Sequence, residues 1–287
     1  MSIYKLSTII VTYYTGDSLW RCISSLQAQR IKQKIIIVNN GNPPEVETKI
    51  NALAGNGLEI ISGHGNIGFG AACNLAFKHV ESPYVLLCNP DCEIISNVDT
   101  LEKMVDKLAD DNACWLAIGQ ILNSDYTEQK TCRRNLITPL TAMSEWLMLY
   151  KVSNILFPRI NDYPPTTYVP AISGAFMLML SVRYEQLGGM DERYFLHMED
   201  MDLCMRVNKS GGKIMYYPSL QVVHYLSTSK VSNIFVEMHK AISFIKYLYA
   251  HFNSPLYNLL ITPLVSVAVW IRFGIKALNS LFNIKTR

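Results

Sequence analysis

Charge is scarce in this 287-residue chain: Asp, Glu, Lys and Arg make up 17% of it, against 49% hydrophobic residues. That balance excludes a disordered, highly charged polymer and requires a folded core. The seven cysteines (22, 73, 88, 92, 114, 132 and 204) are odd in number and form no C-x-x-C pair. A disulfide framework and a structural zinc site are therefore excluded, and a reducing cytosol is expected. Long hydrophobic runs are missing too. Ile9-Ile10-Val11 is too short for the apolar region of a signal peptide. The most apolar stretch, Leu259–Ile271, falls short of the roughly 20 residues that a membrane-spanning helix needs. No basic cluster is interleaved with stacking aromatics, which argues against nucleic acid as a partner. Internal repeats and low-complexity tracts are absent.

What remains is one large core, or a core with a smaller appendage. The net charge of +3 is unevenly spread. Residues 225–287 hold seven basic side chains and one acid, Glu237, whereas the rest of the chain holds 19 basic and 22 acidic. A basic, apolar tail on a mildly acidic body points to an anionic membrane surface, with helices lying in its plane. The alternative is a C-terminal helix pair packed on the body or on a second subunit.

Through residue 120, β-rich runs alternate with helical spacing. Strands are expected at Leu6–Thr12, Lys34–Asn39, Leu58–Ser62 and Tyr84–Cys88. Helices are expected at Ser18–Gln29, Pro44–Leu53, Gly68–His79 and Asp99–Leu108. The strand runs are nearly continuously apolar, as in a parallel sheet covered on both faces. The predicted fold is therefore α/β, a doubly wound and mostly parallel sheet flanked by helices. Ligands of such sheets bind at the carboxyl ends of the strands. That rule gathers Thr12-Tyr13-Tyr14, Asn39-Asn40, His64–Gly68 and Asn89–Asp91 onto one rim. From 123 to 167 prolines break the pattern, giving an irregular insertion suited to acceptor contacts. Order returns with Val169–Ser181, a helix at Glu199–Asn208, and strands at Lys213–Tyr217 and Gln221–His224. The tail reads as helices at Ile234–His251 and Leu256–Leu281, the second broken at Pro263.

Four clusters carry chemistry. Asn89-Pro90-Asp91 follows a strand, and an acid there can hold a hard cation and through it a diphosphate. Taken alone, a turn acid capping the next element is the commoner reading. Glu199, Asp200 and Asp202 start a helix, where carboxylates gain from the dipole. Asp202 and Arg206 are spaced for an ion pair, leaving Asp200 free to act as a base toward a hydroxyl. His224 ends a strand, just before Ser227-Thr228-Ser229, which suits phosphate oxygens. The glycines of Gly63–Gly70 let backbone approach a ligand at a helix start, although their spacing is not the dinucleotide fingerprint. Arg133-Arg134 reads as a solvated surface pair, with a diphosphate contact as the alternative.

In this order the motifs resemble glycosyltransferase family 2, inverting enzymes of the GT-A fold. Within it the likeness is greatest to bacterial rhamnosyltransferases of O-antigen and related polysaccharide assembly. It spans roughly residues 5 to 230 and rests on Ile9-Ile-Val-Thr12, Asn66-Ile-Gly-Phe-Gly70 with Asn74, Asn89-Pro-Asp91, Ser173-Gly-Ala175, Gly188-Gly-Met-Asp191, Phe195, Glu199–Arg206 and His224.

The resemblance implies a catalytic domain over 1–230, with a nucleotide-sugar half (1–120) and an acceptor half (121–230), followed by tail helices at 231–287. It implies Asp91 and His224 as ligands of magnesium or manganese, Asp200 as catalytic base, and Glu199 beside it to hold the acceptor. Donor contacts would come from Thr12, Tyr13, Tyr14, Asn39, Asn40, Asn66, Gly68, Asn74, Asn89, Asp91, Ala175 and Ser229. The implied donor is a dTDP-sugar, dTDP-L-rhamnose first, and the implied acceptor is a glycan on a polyprenyl diphosphate. The enzyme would sit peripherally on the cytoplasmic face of the bacterial inner membrane, with a homo-oligomer as an open option. This chain departs from the family pattern in having Asn39-Asn40 where an Asp-Asn pair is usual, and Asn89 in place of a first acid. Asn39 is the sole sign of a non-catalytic relative.

Overall fold

The apolar runs of the N-terminal half lie side by side as parallel strands because helices cover both faces. The computed structural model describes residues 3–139, 141, 167–226, 232–255, 259 and 262–281. β1 (Leu6–Thr12), α1 (Ser18–Gln27), β2 (Gln33–Asn39), α2 (Pro44–Asn51), β3 (Leu58–Ile61), α3 (Phe69–Phe77) and β4 (Tyr84–Cys88) follow in turn. The strand order is β3-β2-β1-β4, each pair parallel. Every residue of β1 is buried, and α1 turns Leu19, Cys22, Ile23 and Leu26 inward. Pro44 stands in the first turn of α2, where its missing N–H would have had no helical partner.

β5 (Cys92–Ile94), α4 (Thr100–Asp110), β6 (Cys114–Leu122), β7 (Arg133–Arg134), β8 (Thr167–Tyr168), β9 (Ala171–Ile172), β10 (Phe176–Leu180), α5 (Ser181–Gln186), α6 (Glu199–Lys209) and β11 (Lys213–His224) extend the body. β10 sits antiparallel between β4 and β6. β11 runs parallel to β6 and antiparallel to β5. The sheet path is β3-β2-β1-β4-β10-β6-β11-β5, with β8 on β11, while β7 and β9 form a separate ribbon. The sheet is mixed but mostly parallel and flanked by helices, as expected.

Several elements differ from the sequence expectation. β6 has no counterpart in the sequence expectation, because Ala117, Gly119 and Gln120 interrupt the strand-forming Trp115, Ile118 and Ile121. Gly119 is required there, since a Cβ would come within 2.6 Å of Leu220 O. The two strands expected at 213–217 and 221–224 are one strand, whose register against β6 shifts between Tyr217 and Gln221. That irregularity accommodates Pro218. Residue 120 falls inside β6, so one sheet runs through both expected halves. The boundary at 230/231 and most of the insertion lie outside the described residues.

The tail forms α7 (Asn233–His251) and α8 (Thr262–Leu281). α7 is fastened to the body: Ser243 Oγ donates to Leu196 O at 2.9 Å, Lys246 Nζ to Arg193 O at 2.7 Å, and Tyr247 Oη to Ile137 O at 3.0 Å. α8 lies against α7 with Val265 buried and Lys276 Nζ 2.8 Å from Glu237. The described part of α8 begins at Thr262, and residues 256–258 and 260–261, where the expected break at Pro263 would have to be judged, lie outside the described residues.

Candidate functional site

The carboxyl ends of β1, β2 and β4 and the loop after β3 carry the four polar clusters singled out above. Asn42 stitches two of them together. Its Nδ2 donates to Thr12 O at 2.9 Å and to Asn39 Oδ1 at 2.8 Å, and its Oδ1 accepts Tyr14 N–H at 2.7 Å. Asn39 Oδ1 is thus occupied inside its own turn, accepting Asn42 N–H at 3.0 Å as well. Asn40 Nδ2 reaches Asn66 Oδ1 at 3.0 Å, and Asn40 Oδ1 accepts Ile67 N–H at 3.1 Å. Gly68 has φ +87, and a Cβ on it would come within 2.7 Å of Phe195 O. Only glycine fits that approach. Asn74 behaves differently from the donor contact expected of it. Its Oδ1 accepts from Tyr184 Oη and Met190 N, and its Nδ2 donates to Met190 O and Glu192 Oε1. All its hydrogen-bonding capacity goes to clamping the 184–192 segment.

The turn between β4 and β5 brings Asp91 to His224, which ends β11, because β5 pairs with β11 in the register His224↔Cys92. His224 Nε2 lies 3.2 Å from Asp91 Oδ1 and 3.4 Å from Asn89 Nδ2. Both Asp91 and His224 are buried. On the far side of the ring, Nδ1 meets Gln129 Oε1 at 3.2 Å while Gln129 Nε2 donates to His224 O at 2.9 Å. With Gln129 Nε2 committed to the backbone carbonyl, Gln129 Oε1 can only accept, so His224 Nδ1 carries a hydrogen and Nε2 is the ring nitrogen that faces Asp91. A carboxylate oxygen and an imidazole lone pair facing each other suit a divalent cation, and a buried partner orienting the histidine is the usual companion of such ligands. Cys92 Sγ lies within the same cluster, its atom and those of Asp91 and His224 all within 4.8 Å, and donates to Ala175 O at 3.3 Å.

Ser173-Gly174-Ala175 links this pair to α6. Asn89 N–H donates to Ala175 O at 2.8 Å, and Gly174 N–H donates to Asp200 Oδ2 at 3.0 Å. A Cβ on Gly174 would come within 2.9 Å of Asp200 Cβ, so the glycine permits the approach. The tripeptide therefore spans from the Asp91 turn to Asp200 by backbone contacts alone.

At the start of α6 the residues sort themselves differently from the sequence reading. Asp200 is not free, because Arg134 Nη2 pairs with its Oδ2 and Met201 N–H reaches its Oδ1 at 2.7 Å. Burial by itself would raise the Asp200 carboxyl, but the Arg134 guanidinium and the two N–H donors outweigh it and hold the carboxyl below its ordinary value. Glu199 is buried with its Oε2 unpartnered among the described residues. Burial first, and then the Asp200 charge, push it up to about 8. Asp202 forms the expected pair with Arg206 Nε at 2.7 Å and adds His251 Nε2 at 2.6 Å, which binds α7 to α6. His197 and Met198, just before the helix, both have positive φ, +66 and +73. That is strained backbone of the sort held at functional sites. Burial, then Lys240, lower the His197 ring to about 4.

Ser229 and the Ser227–Ser229 segment lie outside the described residues. The sequence reading gave no role to Gln129 or Asn42, and Gly174 entered it only inside the Ser173-Gly-Ala175 motif. Arg134 was noticed only as half of a basic pair.

The sequence profile described as Glycosyl transferase family 2 matches residues 7–180. The chain is 26% identical over 226 residues to "Rhamnosyltransferase WbbL" of Escherichia coli (strain K12), covering 76% of this chain and 82% of that one. It is 24% identical over 250 residues to "N-acetylglucosaminyl-diphospho-decaprenol L-rhamnosyltransferase" of Mycobacterium tuberculosis, covering 78% and 77%. Among solved structures, the crystal structure of GalNAc-T7 with UDP, GalNAc and Mn2+ superposes with a TM-score of 0.60 at 13% identity. That match covers 87% of this chain and 50% of the other, a likeness of fold.

Proposed function

This chain belongs to glycosyl transferase family 2, and from that membership we propose that it transfers L-rhamnose from dTDP-β-L-rhamnose, with inversion, to a glycan carried on a polyprenyl diphosphate. The observation that supports this chemistry is the Ser173-Gly174-Ala175 bridge: Ala175 O accepts Asn89 N–H and Gly174 N–H donates to Asp200, linking the proposed base to the turn that carries the proposed metal ligand Asp91. The donor and acceptor classes rest on the names of its two relatives, both rhamnosyltransferases and one acting on a decaprenol-linked sugar.

Asp91 and His224 would hold magnesium or manganese, which supplies charge neutralisation for the departing diphosphate. Thr12, Tyr13, Tyr14, Asn40, Asn66, Gly68, Asn89 and Ala175 line the donor side of the rim. Asn39 contributes there mainly by fixing the turn. Ser229 completes the phosphate contacts. Asp200 takes the acceptor's hydroxyl proton as that oxygen attacks the anomeric carbon. Glu199, carrying its own proton, supports the N-terminus of α6 and the acceptor face.

The same framework serves UDP-galactofuranose, UDP-hexose or UDP-N-acetylhexosamine, and a thermal-shift comparison of dTDP-, UDP- and GDP-sugars with manganese decides among them. The reading predicts the largest stabilisation with dTDP-rhamnose, since a ligand held by the native state alone raises Tm. A larger shift with a UDP-sugar would overturn the donor assignment and leave the transfer chemistry standing. The product would be made at the cytoplasmic face of the inner membrane, with α8 on the lipid surface.

A further inference from the structure

The adjacent arginines of β7 do different things. Arg133 Nε is 2.8 Å from Glu128 Oε1, and its guanidinium stacks on the Tyr216 ring at 4.3 Å. Arg134 reaches the other way, and its Nη2 donates both to Ile172 O at 2.7 Å and to Asp200 Oδ2. The side chains of Arg134 and Asp200 are only 23% and 16% exposed, so solvent screens the pair weakly. Arg134 Nε–H is buried without a partner among the described residues. A solvated surface arginine has no reason to leave a donor so stranded.

A carboxylate offers about four acceptor positions. On Asp200, Arg134 and Gly174 N–H take Oδ2, and Met201 N–H takes one side of Oδ1. Among the described residues, one position, on Oδ1, is left for an incoming hydroxyl. Resting on the reading of Asp200 as the base, we propose that Arg134 is its positioning residue, clamping Oδ2 to the β7–β9 ribbon and presenting Oδ1 alone to the acceptor. The acceptor O–H proton then passes to Oδ1 while the oxygen bonds to the anomeric carbon. The anomeric C–O bond to the diphosphate breaks, and its electron pair leaves with the phosphate oxygen.

The groups around Asp200 make Arg134 its one directly bound countercharge among the described residues. Glu199 is protonated at neutral pH, His197 is neutral, and Cys204 is pushed up to about 12 by burial. Asp202 is taken by Arg206 and His251. Lys240 and Glu237 of α7 act on His197, as do Asp200 and Arg134.

The test uses full-length protein labelled with ¹³C at the aspartate carboxyls, the Asp200 resonance being the one lost in Asp200→Asn. In Arg134→Met the Asp200 titration should move to higher pH. In Arg134→Lys, which keeps the charge but loses the planar fork, it should stay near wild type. With the sugar nucleotide that stabilises the protein most, manganese-supported donor turnover should fall on the order of 10²-fold in Arg134→Met, a loss typical of a misplaced catalytic group. Its KM for the donor should hold. An Asp200 titration unmoved in Arg134→Met overturns the proposal. Should that variant not fold, Arg134→Lys must still lower kcat at constant KM, and an unchanged kcat is then the contrary result. An Asp200→Asn variant with near-normal turnover strikes the base assignment itself, so the two failures are separable.

Discussion

Two neighbouring carboxyls at the start of α6 stand in opposite protonation states at neutral pH. Glu199, pushed up to about 8 by burial and then by Asp200, keeps its proton, while Asp200, held down chiefly by Arg134 against the effect of burial, has lost its own. Environments that separate like groups in this way commonly divide acid and base roles. They also have a consequence for stability. An unfolded chain releases the Glu199 proton near the ordinary glutamate value of 4.5, the folded chain near 8. Between those values the native state holds the extra proton, so this residue's contribution fades as pH rises. Glu199→Gln removes that dependence. Its Tm should run close to wild type near pH 4.5 and climb above it progressively toward pH 8. Melting curves that keep a constant offset across the window would refute the assignment. At this scale the sequence showed acids, histidine and glycines in a telling order, but not their partners. Arg134 lies 66 residues from Asp200 and Gln129 lies 95 from His224, distances over which no local pattern signals contact.

Among elements, those with regular periodicity were legible. β1 and β4 fall on the expected residues, and α1, α4, α6 and α7 differ only at their ends. β5, at three residues, is too short to show alternation, and β6 mixes weak strand formers. β5 is held in the sheet by β11, and β6 lies between β10 and β11. The tail divides by burial. α7 turns Ala241, Ser243, Tyr247 and Leu248 into the body, whereas α8 exposes Leu264, Val267, Trp270, Ile271, Ile275 and Leu278. These recur every three or four residues, a single stripe along the helix. No described helix is long and apolar enough to cross a membrane, and an in-plane helix with Arg272 at its border agrees with that. Changing Leu264, Ile271 and Ile275 to Ser should weaken flotation with phosphatidylglycerol vesicles at least tenfold, given roughly 1.5–3 kcal/mol for each such side chain fully buried. Donor-induced thermal shift should be retained. Undiminished flotation would remove α8 from the membrane contact.

Across the whole molecule, distant stretches converge through backbone and not through a compact motif. The donor loop at Gly68 rests on Phe195, whose carbonyl also accepts Phe69 N–H at 3.2 Å. Phe195 in turn packs on Phe235 and His239 of α7. α7, expected as part of an appendage, therefore packs behind the Gly68 loop, and it reaches α6 through His251 and Asp202. Sequence order alone could not reveal this, because docking α7 depends on hydrogen bonds to Leu196, Arg193 and Ile137, which lie 47 to 110 residues away along the chain. The central claim is that Asp200 accepts the acceptor's proton in a metal-assisted sugar transfer. Its most direct test is donor binding and turnover of Asp200→Asn, measured on one preparation with manganese. The account predicts donor affinity near wild type and turnover reduced on the order of 10²–10⁴-fold, the usual worth of a positioned base. Turnover near wild type in a folded, donor-binding variant would contradict it.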